Sequence, residues 1–118
     1  MPVWIHLKKK EPFPCAGLWD LWRDPEGQTL YTFTIITTVP NALLRPIHNR
    51  MPVIFDRLSA KQWLDPAFWP NEATLAAVLA PYPSALMEAH EVSSLVNKSE
   101  YDRADCLKRV VERQFRLV

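Results

Sequence analysis

The segment Pro46-Ile47-His48-Asn49-Arg50-Met51-Pro52 sets an imidazole and a guanidinium two positions apart between two prolines. Proline fixes φ, so a segment closed at both ends by proline holds its side chains in place. An imidazole with an ordinary pKa of about 6.5 gives and takes protons near neutrality, and a guanidinium offers a planar fork of donors to phosphate or carboxylate. His48 is therefore a candidate general acid/base and Arg50 a candidate anion anchor. The same spacing also suits two loop side chains bonded to nearby backbone, and spacing alone does not choose. Thr37 and Thr38, closing a strong strand pattern, offer hydroxyls to a ligand oxygen, although threonine on a strand face is often there only as a β-former. Asp20 is a lone carboxylate in an apolar run, a pattern more common for a paired structural charge. Cys15 and Cys106 have no base or helix N-terminus beside them in sequence and read as buried, inert thiols. Trp4, Trp19, Trp22, Trp63 and Trp69 are core mass unless a basic groove lies alongside. His6 and His90 read as core histidines, no trio of ligands has metal-like spacing, and no cofactor is expected.

The elements that must hold these residues are short, because eleven prolines against two glycines interrupt both helices and central strands. Val3, Ile5 and Leu7 alternate with Trp4, His6 and Lys8, the period of a half-buried strand. Phe13 to Trp22 is apolar on both faces and predicts a central strand buried on both sides. Asp24-Pro25-Glu26-Gly27 has turn composition, and Leu30 to Thr38 completes a hairpin. Asn41 caps a short helical turn that Pro46 ends, leaving His48 in a loop. Met51 to Phe55 predicts a short strand, and Ser59-Ala60-Lys61-Gln62 has capping-box spacing ahead of a helix that Asp65-Pro66 stops. Asn71 caps a second helix with Leu75, Val78 and Leu79 on one face. Met87 to Val96 predicts a last strand, and Asp105 to Leu117 a final helix carrying Leu107, Val110 and Val111 on one face.

At 118 residues the chain has room for a single core. Its 48% apolar and 23% charged residues exclude the disordered class. Fourteen basic against thirteen acidic residues leave +1, which excludes a polyanion binder held by gross charge. Two distant cysteines point away from a disulfide scaffold and toward the reducing cytoplasm. The most apolar stretch, residues 73–87, is broken by Pro81 and Pro83, so no membrane span is expected, and no signal peptide precedes Lys8-Lys9-Lys10.

Four blocks in order carry a family resemblance: Pro14-Cys15-Ala16-Gly17-Leu18-Trp19-Asp20, Thr32-Phe33-Thr34-Ile35-Ile36-Thr37-Thr38, Asn41-Ala42-Leu43, and Pro46-Ile47-His48-Asn49-Arg50-Met51-Pro52-Val53-Ile54. They resemble the SOS-response-associated peptidase (SRAP) family, and the likeness runs on through Trp63-Leu64-Asp65-Pro66 and Val92 to Asn97. The resemblance implies an α+β fold with a strand-rich mixed or antiparallel sheet, part of an SRAP-like β-barrel, flanked by short helices. It implies a single domain over residues 1–118, in which 3–97 corresponds to the C-terminal half of the family domain and 98–118 is a divergent tail with a helix.

The family is associated with single-stranded DNA, the SOS response and covalent linkage to abasic sites. His48 matches the histidine that serves as acid/base in opening the deoxyribose ring. Arg50 and Thr37 match positions that contact the DNA backbone, with Thr38 and Asn41 beside them. The family nucleophile is a cysteine at position 2, exposed when the leading Met is removed; here that position is Pro2. Full-length members also carry an asparagine and a catalytic glutamate ahead of where this chain begins. Smaller departures are Asp20 for glutamate, Val39-Pro40 for Glu-Ala, Asn49 for aspartate and Glu91 for proline. The expectation is a chain that does not crosslink DNA unaided and that pairs with itself or with a chain supplying the N-terminal half. The alternatives are a composite enzyme, an iminium-forming Pro2 amine, and an interaction module unrelated to DNA. Peptidase activity in the family concerns removal of its own leading residue, and no protease triad for general proteolysis is visible.

Overall fold

Prolines and turn residues divide the chain into short elements. In the computed structural model, which describes residues 1–110, these are β1 (Val3–Leu7), β2 (Gly17–Arg23), β3 (Thr29–Ile35), β4 (Thr37–Thr38), β5 (Met51–Pro52), α1 (Arg57–Trp63), α2 (Glu72–Val78) and β6 (Met87–Glu91). They fall into two units, one made of Met1–Lys10 with the chain from Ala85 onward, the other of Glu11–Ser84. The expected α+β class holds. Among the described residues the strands form three separate antiparallel pairs, β1–β6, β2–β3 and β4–β5, with no parallel pair and no closed barrel.

In the first unit β1 and β6 run in register from Val3 opposite Glu91 to Leu7 opposite Met87. The period-two pattern forms the expected strand, yet its buried residue is His6, from the face that also carries Trp4. His6 Nδ1 lies 2.7 Å from the Leu7 carbonyl oxygen, and its ring stacks at 4.1 Å on Trp4. The expected helix over Asp105 to Leu117 does not form where the chain is described. Ala104–Leu107 is a single 3-10 turn, after which Arg109 bridges Val92 and the Val110 N–H bonds the Glu91 carbonyl. Pairing with the end of β6 overrides the helical spacing; residues 111–118, where the rest of that expectation falls, lie outside the described residues.

The second unit has its core at Ala16, Val53 and Phe55, with Ile36, Ala60, Trp63, Val78 and Leu79 packed around them. Three chain segments meet there in a closed ring of backbone hydrogen bonds. Ala16 N–H donates to Val53 O at 2.8 Å, Val53 N–H to Ile36 O at 2.9 Å, and Ile36 N–H to Ala16 O at 2.9 Å. This ring is why Leu30 to Thr38, expected as one strand, is two. Ile36 turns away from β2 to bond Ala16 and Val53, and the strand resumes as β4 with β5 as its new partner.

The β2–β3 hairpin closes as its turn composition requires. Asp24 Oδ1 accepts from Glu26 N–H and Gln28 N–H at 3.0 and 2.8 Å, and Gly27 supplies φ of +85°. The expectation of burial on both sides fails for this strand. Every residue of β3 is exposed, as is β2 beyond Gly17, because each strand has one partner and among the described residues no layer covers either face. Helix α1 also begins earlier than its sequence spacing suggests. Asp56, in extended backbone, accepts from Ser59 N–H at 2.7 Å and is the cap, which puts Ser59 inside the helix. α2 is capped by Asn71 as expected, through Thr74 N–H at 2.8 Å.

Candidate functional site

The candidate residues lie around a loop that joins β4 to β5. Its base is buried. Asn41 is 9% exposed, its Oδ1 accepts from Leu44 N–H at 3.1 Å, and its Nδ2 donates to the Tyr82 carbonyl at 2.7 Å. The Asn41 amide also donates to Met51 Sδ at 3.3 Å, tying the start of the loop to its end. Asn41 does cap a turn: Arg45 N–H returns to Asn41 O, and the N–H groups of Ile47 and His48 both reach Leu44 O. Pro46 ends the turn, and the chain emerges with His48, Asn49 and Arg50 exposed before Met51 returns to the interior.

At the tip one string of hydrogen bonds joins three of the five candidates. The Arg50 guanidinium donates from Nε to Thr37 Oγ1 at 3.2 Å and from Nη2 to Thr37 O and Oγ1 at 2.8 and 3.1 Å. All three contacts go to neutral oxygens, so they fix the orientation of the cation without neutralising it. The Nη1 end of the fork is the part left for an outside anion. His48 Nδ1 lies 3.0 Å from both the backbone N and the backbone O of Arg50. One group donates to a bare Nδ1 and the other accepts from a protonated Nδ1, so each neutral tautomer and the imidazolium all have a partner. Nε2 can thus carry a proton or a lone pair at the same ring position. The loop thus strings the imidazole, the Arg50 backbone, the guanidinium and Thr37 together by hydrogen bonds.

Thr37 and Thr38 pair with Pro52 and Met51 in the β4–β5 ladder, Thr37 exposed and Thr38 half-buried. Asn41 lies beneath the tip with its side chain bonded inside the fold. The cross-link from Arg50 to Thr37 was not legible in the chain order, although antiparallel strands flanking a loop would bring residues 50 and 37 close. The Tyr82 carbonyl that anchors Asn41 had no sequence signal at all.

The remaining candidates lie elsewhere. Asp20 Oδ1 accepts from the next backbone N–H at 2.8 Å. Cys15 pairs with Ile54 through an isolated bridge, and burial pushes its thiol pKa up. Cys106 and His90 belong to the first unit, where His90 Nε2 lies 2.8 Å from the Leu107 carbonyl. Beside the hairpin, Gly17, Trp19, Trp63, Phe68 and Leu75 line an open groove of about 590 Å³, in which Trp63 Nε1–H donates to Gly17 O at 3.1 Å. Among the described residues no group of three ligating side chains could hold a metal, and no helix is long and apolar enough to cross a membrane.

Comparison with known proteins identifies relatives of the chain. The chain is 44% identical over 108 residues to the abasic site processing protein YoqW of Bacillus subtilis, covering 92% of this chain and 48% of that protein. It is 35% identical over 98 residues to the abasic site processing protein HMCES of Xenopus tropicalis, covering 81% of this chain and 28% of that protein. A crystal structure of a protein from Bacteroides thetaiotaomicron superimposes with a TM-score of 0.79 at 30% identity, over 93% of this chain and 48% of that one. The chain therefore spans about half the length of its bacterial relatives. The family model of the SOS response associated peptidase matches residues 1–99, and with the loop, the ladders and these relatives in agreement, the chain belongs to the SRAP family.

Proposed function

We propose that this chain supplies the acid/base and backbone-contacting half of a site that handles abasic lesions in single-stranded DNA during the response to DNA damage. The observation that carries this reading is the His48 ring, held at Nδ1 by the backbone N–H and carbonyl of Arg50, whose guanidinium is in turn oriented by Thr37. An abasic deoxyribose is a cyclic hemiacetal. As it opens, the C1′ hydroxyl loses its proton to water, the C1′–O4′ bond breaks and O4′ takes a proton, leaving an aldehyde. His48 Nε2 gives the proton to O4′ and recovers one from solvent. The free end of Arg50 bonds a phosphate next to the lesion, a charge-assisted contact that sets register without reading sequence. Thr37 and Thr38 line the approach. Asn41 is the positioning residue that holds the loop from below. In this reading the chain works in the cytoplasm, where Cys15 and Cys106 stay reduced.

The covalent step is not this chain's own. Pro2 is tied into the first unit, its carbonyl accepting from Val92 N–H at 3.0 Å. Cys15 has no free α-amine, and its burial disfavours the thiolate. The chain instead joins a composite site whose nucleophile lies in the part of the domain it does not span.

The test mixes the chain with single-stranded oligonucleotides carrying one abasic site or none, with and without borohydride. Expected are tighter binding to the abasic strand, weakened tenfold or more by Arg50→Ala, faster aldehyde exposure that His48→Ala removes, and no adduct surviving denaturation. A borohydride-trapped adduct would transfer the nucleophile to this chain, with Pro2 first in line. Equal, salt-independent failure to bind either strand would sink the DNA reading and favour a protein-interaction module.

A further inference from the structure

The β2–β3 hairpin exposes a dense set of large apolar side chains, and its two faces differ. The register puts Gly17 opposite Ile35, Trp19 opposite Phe33 and Leu21 opposite Tyr31, so one face is an unbroken apolar stripe. On it Trp19 is 72%, Tyr31 71% and Phe33 79% exposed, and the Trp19 and Tyr31 rings lie 6.3 Å apart. The other face alternates Leu18, Trp22 and Leu30 with Thr34, Asp20 and Thr32. A two-stranded ribbon is marginal in water unless something packs on it, and apolar patches of this kind mark interaction surfaces. Among the described residues neither strand of the ribbon has a second strand partner.

The comparisons indicate what covers it. YoqW and the Bacteroides protein each match nearly all of this chain and each carry about as much chain again, since the matched parts are 48% of their lengths. A fold shared at TM-score 0.79 leaves the same ribbon in the relative, and there the additional half is available in the same molecule to bury it. We propose that the Trp19–Phe33–Tyr31 face docks the part of an SRAP domain that this chain does not span, supplied by another segment of polypeptide. The inference rests on family membership and on the exposed ribbon, and deepens the composite-site reading above by naming the surface through which the site would assemble.

The test co-expresses the chain with the portion of B. subtilis YoqW that it does not match, and reads size-exclusion chromatography with light scattering together with tryptophan emission. Expected are a 1:1 complex and a blue shift as Trp19 leaves water. Phe33→Glu or Tyr31→Glu should abolish the complex, whereas Thr32→Glu on the opposite face should weaken it less than threefold. These positions are exposed, so the chain's own fold should survive each change, as far-UV circular dichroism would verify. A homodimer broken by the same substitutions would overturn the proposal in favour of a second copy. Absence of any 1:1 complex, or a complex lost only with Thr32→Glu, would also overturn it. DNA binding is not read, so failure here removes this route to a composite site while the chain's own contacts with abasic DNA, read in the oligonucleotide assay, are judged separately.

Discussion

The β2–β3 hairpin and the β4–loop–β5 segment are neighbours in sequence and opposites in construction. The hairpin consists of seven paired residues a side, rich in aromatic and branched types, and is almost wholly exposed. The second ladder is two residues a side, yet Met51 is 1% and Val53 0% exposed and the loop above is bonded to buried backbone. Strand propensity therefore forms the ribbon but does not bury it, because burial needs a second layer. The short ladder owes its rigidity to side chains that bond across the loop. One region is exposed along its length, and the other is bonded into the fold.

If that contrast is right, disturbance of the loop base should cost far more than disturbance of the ribbon. Met51→Ala removes a buried side chain and should destabilise the chain by about 3 kcal/mol in urea melts. A loss below about 1 kcal/mol would mean that the base is looser than it looks. Asn41→Ala strips a buried carbonyl and a buried N–H of their partners and should cost about 2 kcal/mol. It should also raise the phosphate-binding Kd without altering the pH dependence of aldehyde exposure, the mark of a positioning role.

Asp56→Ala should cost about 1 kcal/mol as a lost helix cap. Hydrogen bonds from the α1 N-terminus, Ser59 above all, hold the Asp56 carboxyl below its ordinary value. The cap is therefore worth most above the unfolded carboxylate range and is lost as pH falls through the folded value, so the gap between wild type and Asp56→Ala should shrink in acid. Constant separation down to pH 2 would refute the charged cap. Smallest is Phe33→Ser, which should shift the stability of the chain alone by no more than about 0.5 kcal/mol. A larger loss would show that Phe33 is already covered.

Much of the site was legible because it is local. The proline-bracketed loop, the Asn41 turn, the Asp24–Gly27 turn and the Asn71 cap are set by residues within six positions of one another, and each formed as its types require. What failed is non-local. The sequence between Phe13 and Trp22 has the composition of a doubly buried strand, and that pattern records two covering layers without saying whether they lie among these residues. Leu30 to Thr38 carries no break signal at Ile36, since the break is imposed by Ala16 and Val53. The helix expected after Asp105 lost its start to a bridge with Val92. The Arg50–Thr37 link depends on a ladder of two residues, too short for any periodicity to announce.

The ring of three backbone bonds at Ala16, Ile36 and Val53 has a kinetic consequence. Each of the three amides is a donor whose acceptor belongs to the next member, so withdrawal of any one segment breaks two of the three bonds at once. Their protons should exchange with solvent water at one common rate, set by a single opening event rather than by local fraying. Because the segments come from the hairpin entry, the strand break and the far side of the His48 loop, that event opens the ribbon and the loop together. A protein that docked on the ribbon would slow deuterium uptake at Val53, beyond the His48 loop, without touching it.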